Sequence, residues 1–316
     1  MEMEEAKGQD PQFSQYYANP IYLNPAFAGT GGGPRFALNY RNQWPNLEGN
    51  FITTTASYDQ HFDAINGGFG LQAVYDRAGE GELTTTQIKT SYSYQLNVTR
   101  EFTIKAGLEA GIQQRRIDFD NLQWPDQIDP RQGFVRPTEE PIVLEDTDAS
   151  HFFPDFSTGI MGFTDNYYGG FAVHHIAEPT QSFYDNAEST LPRKFTGHIG
   201  SMIPLQDTRD PDSYISPNIA FQRQGNFNQV NFGAYYIHQS FQVGAWFRQT
   251  EPNSDAFIAM VGLNHENVNV GYSYDLTVSE ARTAVRGSHE LSLRIQLDQP
   301  RRVDSRDWRE LNCPDF

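Results

Sequence analysis

The 316-residue chain carries 40 acidic and 23 basic residues, which gives a formal net charge of -17. This balance argues against a nucleic-acid-binding protein, because phosphate recognition needs clustered lysine and arginine. Hydrophobic residues make up 38% of the chain, its mean hydropathy is -0.61, and no run approaches the roughly 18 apolar residues that a membrane-spanning helix needs. A helical membrane protein is therefore excluded. A β-barrel is not, because its lipid-facing residues alternate with polar lumen residues.

The first eight residues read MEMEEAKG, which is acidic and has no apolar stretch. An export signal needs a cationic region followed by an apolar one. We therefore interpret residues 1–8 as a leader or added residues, and we expect the exported chain to begin near Gln9.

Residues 9–33 form a segment of a different kind, with three prolines and no clean hydrophobic period. The segment contains too many aromatic residues for a disordered linker, and these side chains need an apolar partner.

Strict alternation of apolar and polar residues dominates the chain from residue 34 onward, as in Leu291, Leu293 and Ile295 near its end. This period of two is typical of β-strands with two different faces. It predicts fourteen strands, near 34–42, 50–62, 67–77, 82–97, 100–118, 152–163, 166–176, 193–203, 214–225, 228–239, 241–250, 255–264, 267–276 and 287–298.

Strand number, strand length and joint length favour an all-β transmembrane up-and-down barrel. Fourteen is an even number, as single-chain bacterial barrels require, and many of the strands are longer than those of soluble sheets. Joints after even strands are short, except near 204–213, whereas the longest joints, 119–151 and 177–192, follow odd strands. A soluble sandwich or propeller is the alternative, and the lack of a 40-to-50-residue repeat weakens the propeller.

This topology predicts a barrel over 34–298, with the segment 9–33 and the tail 299–316 both on the periplasmic side. A barrel of about 14 strands is wide enough to need filling by a plug or loops, or else to form a pore.

The residues from Gln9 to Gly29 resemble the N-terminal signature of the PorP/SprF family, in which QDPQFSQ opens the mature chain and NPxYLNPAFAG follows. Further blocks of the chain are similar to family segments in the same order. They are Asp126–Pro130 (DQIDP), Ala172–Pro179 (AVHHIAEP) with Ser182 and Phe183, Leu191–Thr196 (LPRKFT), Gly287–Leu293 (GSHELSL) and the closing Cys313-Pro314-Asp315-Phe316.

The resemblance implies an outer-membrane accessory of the type IX secretion system of Bacteroidota, associated with gliding motility. Its implied partners are a secreted surface adhesin with a C-terminal sorting domain, the periplasmic ring components of the secretion system, and outer-membrane lipid.

The candidate functional residues are those that either plug the barrel or dock a partner. They are Phe13, Tyr16, Tyr17, Pro20, Tyr22, Asn24, Pro25 and Phe27 in the N-terminal segment, and Cys313, Pro314 and Phe316 in the tail.

No catalytic, cofactor or metal site is predicted. Neighbouring side chains of a strand point to opposite faces, so His174 and His175 are expected not to bind one ion together. The glycines after Gly29 lack the lysine of a phosphate loop, and a G-x-S-x-G elbow is absent from the sequence.

The expected activity is binding, export or anchoring of an adhesin and its coupling to the periplasmic machinery. The alternative is a transporter or channel for a small hydrophobic or sugar ligand. The candidate lumen residues Lys89, Lys105, Glu109 and Arg294 have mixed signs, which favours an internal salt-bridge network over a selective channel.

Overall fold

The computed structural model describes residues 10–31, 33–47, 49–79, 83–118, 127–129, 131, 133–134, 148–183, 189–208, 211–251, 256–278, 287–297 and 311. Within these ranges the fold is almost entirely β.

The described residues form fourteen long strands and three two-residue strands. The long strands are β1 (Arg35–Gln43), β2 (Phe51–Phe62), β3 (Gly67–Ala78), β4 (Leu83–Asn97), β5 (Thr103–Asp118), β8 (Asp148–Phe163), β9 (Tyr167–His174), β10 (Lys194–Ser201), β12 (Ser213–Gln224), β13 (Phe227–His238), β14 (Phe241–Glu251), β15 (Ala256–His265), β16 (Val268–Thr277) and β17 (Ser288–Gln296). The short strands are β6 (Ile128–Asp129), β7 (Gly133–Phe134) and β11 (Ile203–Pro204).

The fourteen long strands close into one antiparallel barrel. Each strand pairs with its neighbours along the chain, β10 pairs with β12, and β1 pairs with β17 to close the ring. Closure removes the exposed sheet edges that would otherwise recruit other chains. The predicted fold class and the fourteen predicted strands are confirmed, with strand ends shifted by a few residues.

The alternation in the sequence sorts residues between the lumen and the outer face. In β1, Asn39 and Arg41 point inward and are buried, whereas Leu38 and Tyr40 point outward and are exposed. The same pattern continues around the ring, where Leu108, Ile160 and Ile219 lie on the outer face. The wall therefore presents an apolar surface to lipid and a polar surface to the lumen.

The joints differ between the two ends of the barrel, which we call the turn end and the loop end. The turn end carries tight connections such as 98–102 and 164–166, and the loop end carries the long joints 119–147 and 175–193. The predicted joint near 204–213 is shorter than its sequence suggests, because β11 extends the wall and pairs with β12.

In the described part of the chain, helical structure is limited to short pieces. They are the 3₁₀ turns Tyr16–Ala18, Pro25–Phe27 and Asp63–Ile65 and the single α-helical turn α1 (Pro20–Leu23). No helix among the described residues has the length and apolar character needed to cross a membrane.

The exposed apolar face predicts a depth-dependent penalty for charge. Leu108 lies midway along the outward apolar residues of β5, which run from Ile104 to Ile112, and it is 65% exposed on the outer face. Leu108→Arg should therefore lower the free energy of unfolding by about 2–4 kcal/mol. Urea unfolding in lipid vesicles measures this loss. Val98→Arg, in a joint at the turn end, is the matched control and should lose about 0–1 kcal/mol. Equal losses at both positions would contradict placement of this face in the hydrocarbon layer.

Candidate functional site: a plug segment in the barrel lumen

Residues 10–31, here called the plug segment, lie inside the barrel. Every residue from Phe13 to Thr30 is buried except Tyr22, which is half-buried. Those eighteen residues form no strand, so their polar backbone groups must find partners among themselves or on the inner face of the wall.

The plug segment runs through the lumen from the loop end to the turn end. At its start, the Asp10 backbone N–H donates to Gln224 Oε1 at 2.9 Å, and Gln224 ends β12 at the loop end. At its other end, the Gly29 N–H donates to Asp59 Oδ2 at 2.6 Å near the turn end. The segment then joins β1, which starts at the turn end.

This path corrects the prediction that the segment lies wholly on the same side as the C-terminal tail. The physical reason is that its aromatic side chains and backbone carbonyls have partners along the whole length of the wall. Of the tail, the structure describes Leu311, which is buried at the turn end, where its N–H donates to the Thr30 carbonyl at 3.4 Å.

An ionic cluster holds the start of the plug segment at the loop end. His175 Nε2 lies 2.8 Å from Asp10 Oδ2, and His175 Nδ1 lies 3.0 Å from Asp155 Oδ1. Lys194 Nζ lies 3.4 Å from the same Asp10 oxygen. Lys89 extends the cluster, with its Nζ 3.5 Å from Glu109 and 3.6 Å from Asp155.

Charge in this cluster shifts two pKa values at the loop end. Burial alone raises the pKa of Asp10, but the cationic His175 and Lys194 outweigh it and hold that pKa well below its usual range. Burial lowers the pKa of His175, but the carboxylates of Asp10 and Asp155 more than offset this and raise it to about 9. At neutral pH, a protonated histidine therefore lies between two carboxylates.

Strand geometry predicts that the side chains of His174 and His175 point to opposite faces. The structure corrects this prediction. β9 ends at His174, and His175 adopts a left-handed backbone with φ of 55°, so both imidazoles are buried inside the barrel. Among the described residues, no group of three or more His, Cys, Asp or Glu side chains has an arrangement that could hold a metal ion.

A second buried ionic cluster holds Ser14, four residues after Asp10. Arg41 bridges Asp275 at 2.8 Å and Glu290 at 3.1 Å, and Arg248 also reaches Asp275 at 2.9 Å. Ser14 is bonded into this cluster through both its N–H, which donates to Glu290, and its hydroxyl, which donates to Asp275. Removing one partner from such a buried network costs about 3–5 kcal/mol, because the remaining charges lose their compensation.

The aromatic side chains of the plug segment pack on one side of the lumen. Tyr16 lies against Trp246 with ring centroids 5.7 Å apart, and its hydroxyl accepts a hydrogen bond from Gln229 at 3.0 Å. Tyr17 meets Tyr168 edge to face at 5.6 Å. These rings belong to a continuous buried apolar cluster that includes Phe27.

Phe13, Tyr22 and Phe27 find aromatic or cationic neighbours. Phe27 stacks on His198 at 5.1 Å, and Phe13 meets Tyr22 edge to face at 5.2 Å. Lys194 lies over the Tyr22 ring, 4.7 Å from its centroid.

The two asparagines of the motif satisfy backbone and wall groups. Asn24 caps the turn Pro25–Phe27 by accepting from the Ala26 N–H at 2.9 Å, and its amide donates to the Ile160 carbonyl at 3.2 Å. Asn19 donates to Thr55 at 3.0 Å. The adjacent prolines suit this arrangement, since proline is favoured at the first position of a helical turn.

At the turn end the wall binds backbone carbonyls of the plug segment. Lys105 Nζ donates to the Ala28 carbonyl at 2.8 Å, and Ser93 donates to the same oxygen at 2.6 Å. Arg35 pairs with Asp59 at 2.8 Å and also donates to the Phe27 carbonyl. Two of the candidate lumen residues, Lys89 and Glu109, form part of an internal salt-bridge network, as the sequence predicts. Lys105 instead binds the backbone of the plug segment.

Glycines in the wall allow the plug segment to approach closely. A Cβ added to Gly107 would overlap the backbone of Pro25 and Ala26, and one added to Gly68 would overlap the backbone of Ala28. These are close-approach positions that only glycine fills.

The structure therefore places all eight predicted N-terminal residues in the lumen. Tyr22 is half-buried, and the other seven are buried. Cys313, Pro314 and Phe316 lie outside the described residues. Sequence reasoning missed the wall partners Asp59, Asp155 and Trp246, which carry no local motif.

A family model matches residues 5–295, and its family is described as the type IX secretion system membrane protein PorP/SprF. The chain belongs to the PorP/SprF family. No curated protein matches the chain.

Solved structures with a similar fold are outer-membrane barrels. The toluene transporter TbuX of Ralstonia pickettii has a TM-score of 0.56 at 12% identity, over 87% of this chain and 92% of that one. The toluene transporter TodX of P. putida has a TM-score of 0.52 at 11% identity, over 89% and 94%. Identities this low show a shared fold alone. The barrel fold and the family together support an outer-membrane location.

Within this PorP/SprF chain, three of the blocks that resemble the family meet at one place. Asp10 comes from the N-terminal motif, His175 from AVHHIAEP and Lys194 from LPRKFT, and these three side chains form the loop-end cluster. The blocks are remote in sequence, so their contact is a property of the folded barrel.

We expect Gly107→Val to displace the plug segment. The added side chain would overlap the backbone of Pro25 and Ala26, and such overpacking should lower the free energy of unfolding by about 1–3 kcal/mol. Urea unfolding and chymotrypsin cleavage after Tyr16 and Tyr17 measure the two effects. Gly197→Val is the control, because a Cβ there meets only Phe171 at 3.9 Å. Equal cleavage of both variants would contradict the proposed contact.

The attachment of the plug segment to the loop-end cluster, here called the loop-end anchor, should depend on pH. The pKa of His175 is raised in the folded state, to about 9 from 6.5. The contribution of protonated His175 to the stability of the folded protein is therefore complete below pH 6.5 and is lost as pH rises through about 9. The pKa of Asp10 is lowered in the folded state. The contribution of ionised Asp10 to stability is therefore present above the usual aspartate pKa and is lost only as pH falls well below that usual value.

A nitroxide on Gln12→Cys, in a Cys313→Ser background, reports this anchor by electron paramagnetic resonance. The label should be immobile at pH 7 and become mobile above about pH 9. His175→Gln should abolish the alkaline transition, whereas the control His151→Gln should preserve it. A label that stays immobile to pH 10.5 in the parent protein would refute the anchor's pH dependence.

Proposed function

We propose that the protein is an accessory of the type IX secretion system that binds or anchors an exported adhesin and couples it to the periplasmic ring of the machinery. The observation that supports this function best is that the family's N-terminal motif fills the lumen. A filled barrel offers its two ends as binding surfaces and does not need a conducting path.

Several contacts favour a stationary plug over a mobile one. The plug segment bonds to Asp59 near the turn end, to Glu290 through Ser14, and to Gln224 and His175 at the loop end. Its removal would leave the Arg41 and Arg248 cluster without the Ser14 hydroxyl and would open the aromatic cluster to water. Such a displacement requires a large free-energy input.

We propose that the loop end faces the cell surface and the turn end faces the periplasm, since bacterial barrels have short periplasmic turns and long external loops. The loops 119–147 and 175–193 would then meet the adhesin. The turn end, where the tail returns at Leu311, would meet the periplasmic ring.

The competing function is transport of a small hydrophobic or sugar ligand. The likeness to two toluene transporters supports it only at the level of fold. Transport would require a path past the plug segment, so partner recovery and conductance distinguish the two functions.

The test is a pull-down of the tagged protein from mildly solubilised outer membranes with mass spectrometry, combined with conductance in planar bilayers. We expect recovery of a large surface adhesin and periplasmic ring components, and no steady conductance. Deletion of residues 9–30 should abolish partner recovery, and heat-dependent gel mobility would show that the shortened barrel still folds. Recovery of neither partner with a conducting wild-type barrel would favour the transporter.

A further inference from the structure

A polar cleft lies on the outer face of the barrel at the loop end, outside the lumen and apart from the plug segment. It has a volume of about 290 Å³ and is formed by strands β3, β4 and β5. The lining residues are Tyr75, Thr84, Thr86, Gln114, Arg116 and Asp118.

Two arginines face outward on either side of Thr84. Arg77 pairs with Thr84 across β3 and β4, and Thr84 pairs with Arg116 across β4 and β5. Side chains that are directly opposite on one face lie about 5 Å apart at Cβ, so both guanidinium groups can reach a ligand over Thr84. Among the described residues, Arg77 has neither an ion pair nor a hydrogen bond with another side chain. A cationic pair of this kind stands out in a chain with a net charge of -17.

The wall below the cleft is strongly apolar. Ile88 and Ile112 pair with each other and lie two residues beyond Thr86 and Gln114 toward the turn end. Their side chains are 63% and 62% exposed. Level with the cleft, Phe152 lies opposite Gln114 on the neighbouring strand and is 61% exposed. The change from isoleucine to threonine, glutamine and arginine along the same face marks the boundary between hydrocarbon and headgroups.

The polar cleft and the apolar wall together match the shape of a membrane lipid. Arginine is the side chain best suited to a phosphate group, because its planar donors form paired charge-assisted hydrogen bonds. The hydroxyls of Tyr75 and Thr86 supply further donors, whereas the Thr84 hydroxyl donates to the Arg116 carbonyl. Asp118, at the outer rim, would accept a hydrogen bond from a headgroup hydroxyl or ammonium.

We propose that this cleft is a binding site for a membrane lipid with an anionic phosphate headgroup. The phosphate lies between Arg77 and Arg116, and the acyl chains lie along Ile88 and Ile112. The site fixes one bound lipid at the rim of the barrel on the loop-end side.

The proposal is tested on the full-length protein in nanodiscs of phosphatidylcholine with phosphatidylglycerol, followed by native mass spectrometry of the lipids that stay bound. We expect the wild type to retain phosphatidylglycerol in preference. Arg77→Gln and Arg116→Gln should each lower that preference about fivefold, since one cationic side chain near an anionic surface has roughly that effect. Heat-dependent gel mobility checks that each variant is folded.

Arg223→Gln is the matched control, because Arg223 also faces outward near the loop end. Its neighbours across the two adjoining strands are Phe195 and Asn228, so no second arginine lies close to it across a threonine. Its lipid preference should equal that of the wild type. Wild-type protein that retains both lipids equally, or a control that loses as much preference as the two cleft variants, would overturn the proposal.

Discussion

The structure depends on one constraint: a fourteen-stranded barrel encloses more space than its inward side chains can fill. A lumen of this width either conducts or is filled by another part of the chain. Here the filling is the plug segment, which has no strand structure of its own and therefore needs partners for its backbone. The inward face of the wall supplies those partners at the carbonyls of Phe27 and Ala28, and it supplies glycines where the two backbones meet.

Buried charge follows from the same constraint. The inward side chains of the alternating strands are polar, yet many of them are buried beneath the plug segment. Arg41 with Asp275, and Arg35 with Asp59, resolve this conflict by pairing in place of hydration. Such pairs add little net stability compared with apolar side chains, but breaking one is costly. The pairs therefore fix the position of the plug segment more than they stabilise the barrel, and the loop-end cluster around His175 does the same for its first residue.

The sequence predicts the wall well because each strand is encoded locally by alternation, with a period that no helix shares. The placement of Leu291, Leu293 and Ile295 on one face of β17 needs no knowledge of the rest of the chain. The joint near 204–213 is harder, since β11 forms only by pairing with β12.

The plug segment could be identified from its aromatics and prolines, but its path could not. Its direction depends on contacts between residues that are far apart in sequence, such as Asp10 with His175 or Ser14 with Glu290. The inward turn of His175 depends on a left-handed backbone after the strand ends, which overrides the alternation rule. Lys105 looked like a member of an ion network, yet it binds a carbonyl of the plug segment.

The most direct test of this account is cross-linking in native outer membranes between position 19 and the wall. Asn19 lies within hydrogen-bonding distance of Thr55, 3.0 Å between side-chain atoms, whereas the neighbouring Thr54 faces the outside of the barrel. Cysteines at 19 and 55, in a Cys313→Ser background, should be joined by a short thiol cross-linker, and cysteines at 19 and 54 should not. Cross-linking of both pairs, or of neither, would contradict a plug segment that lies inside the barrel.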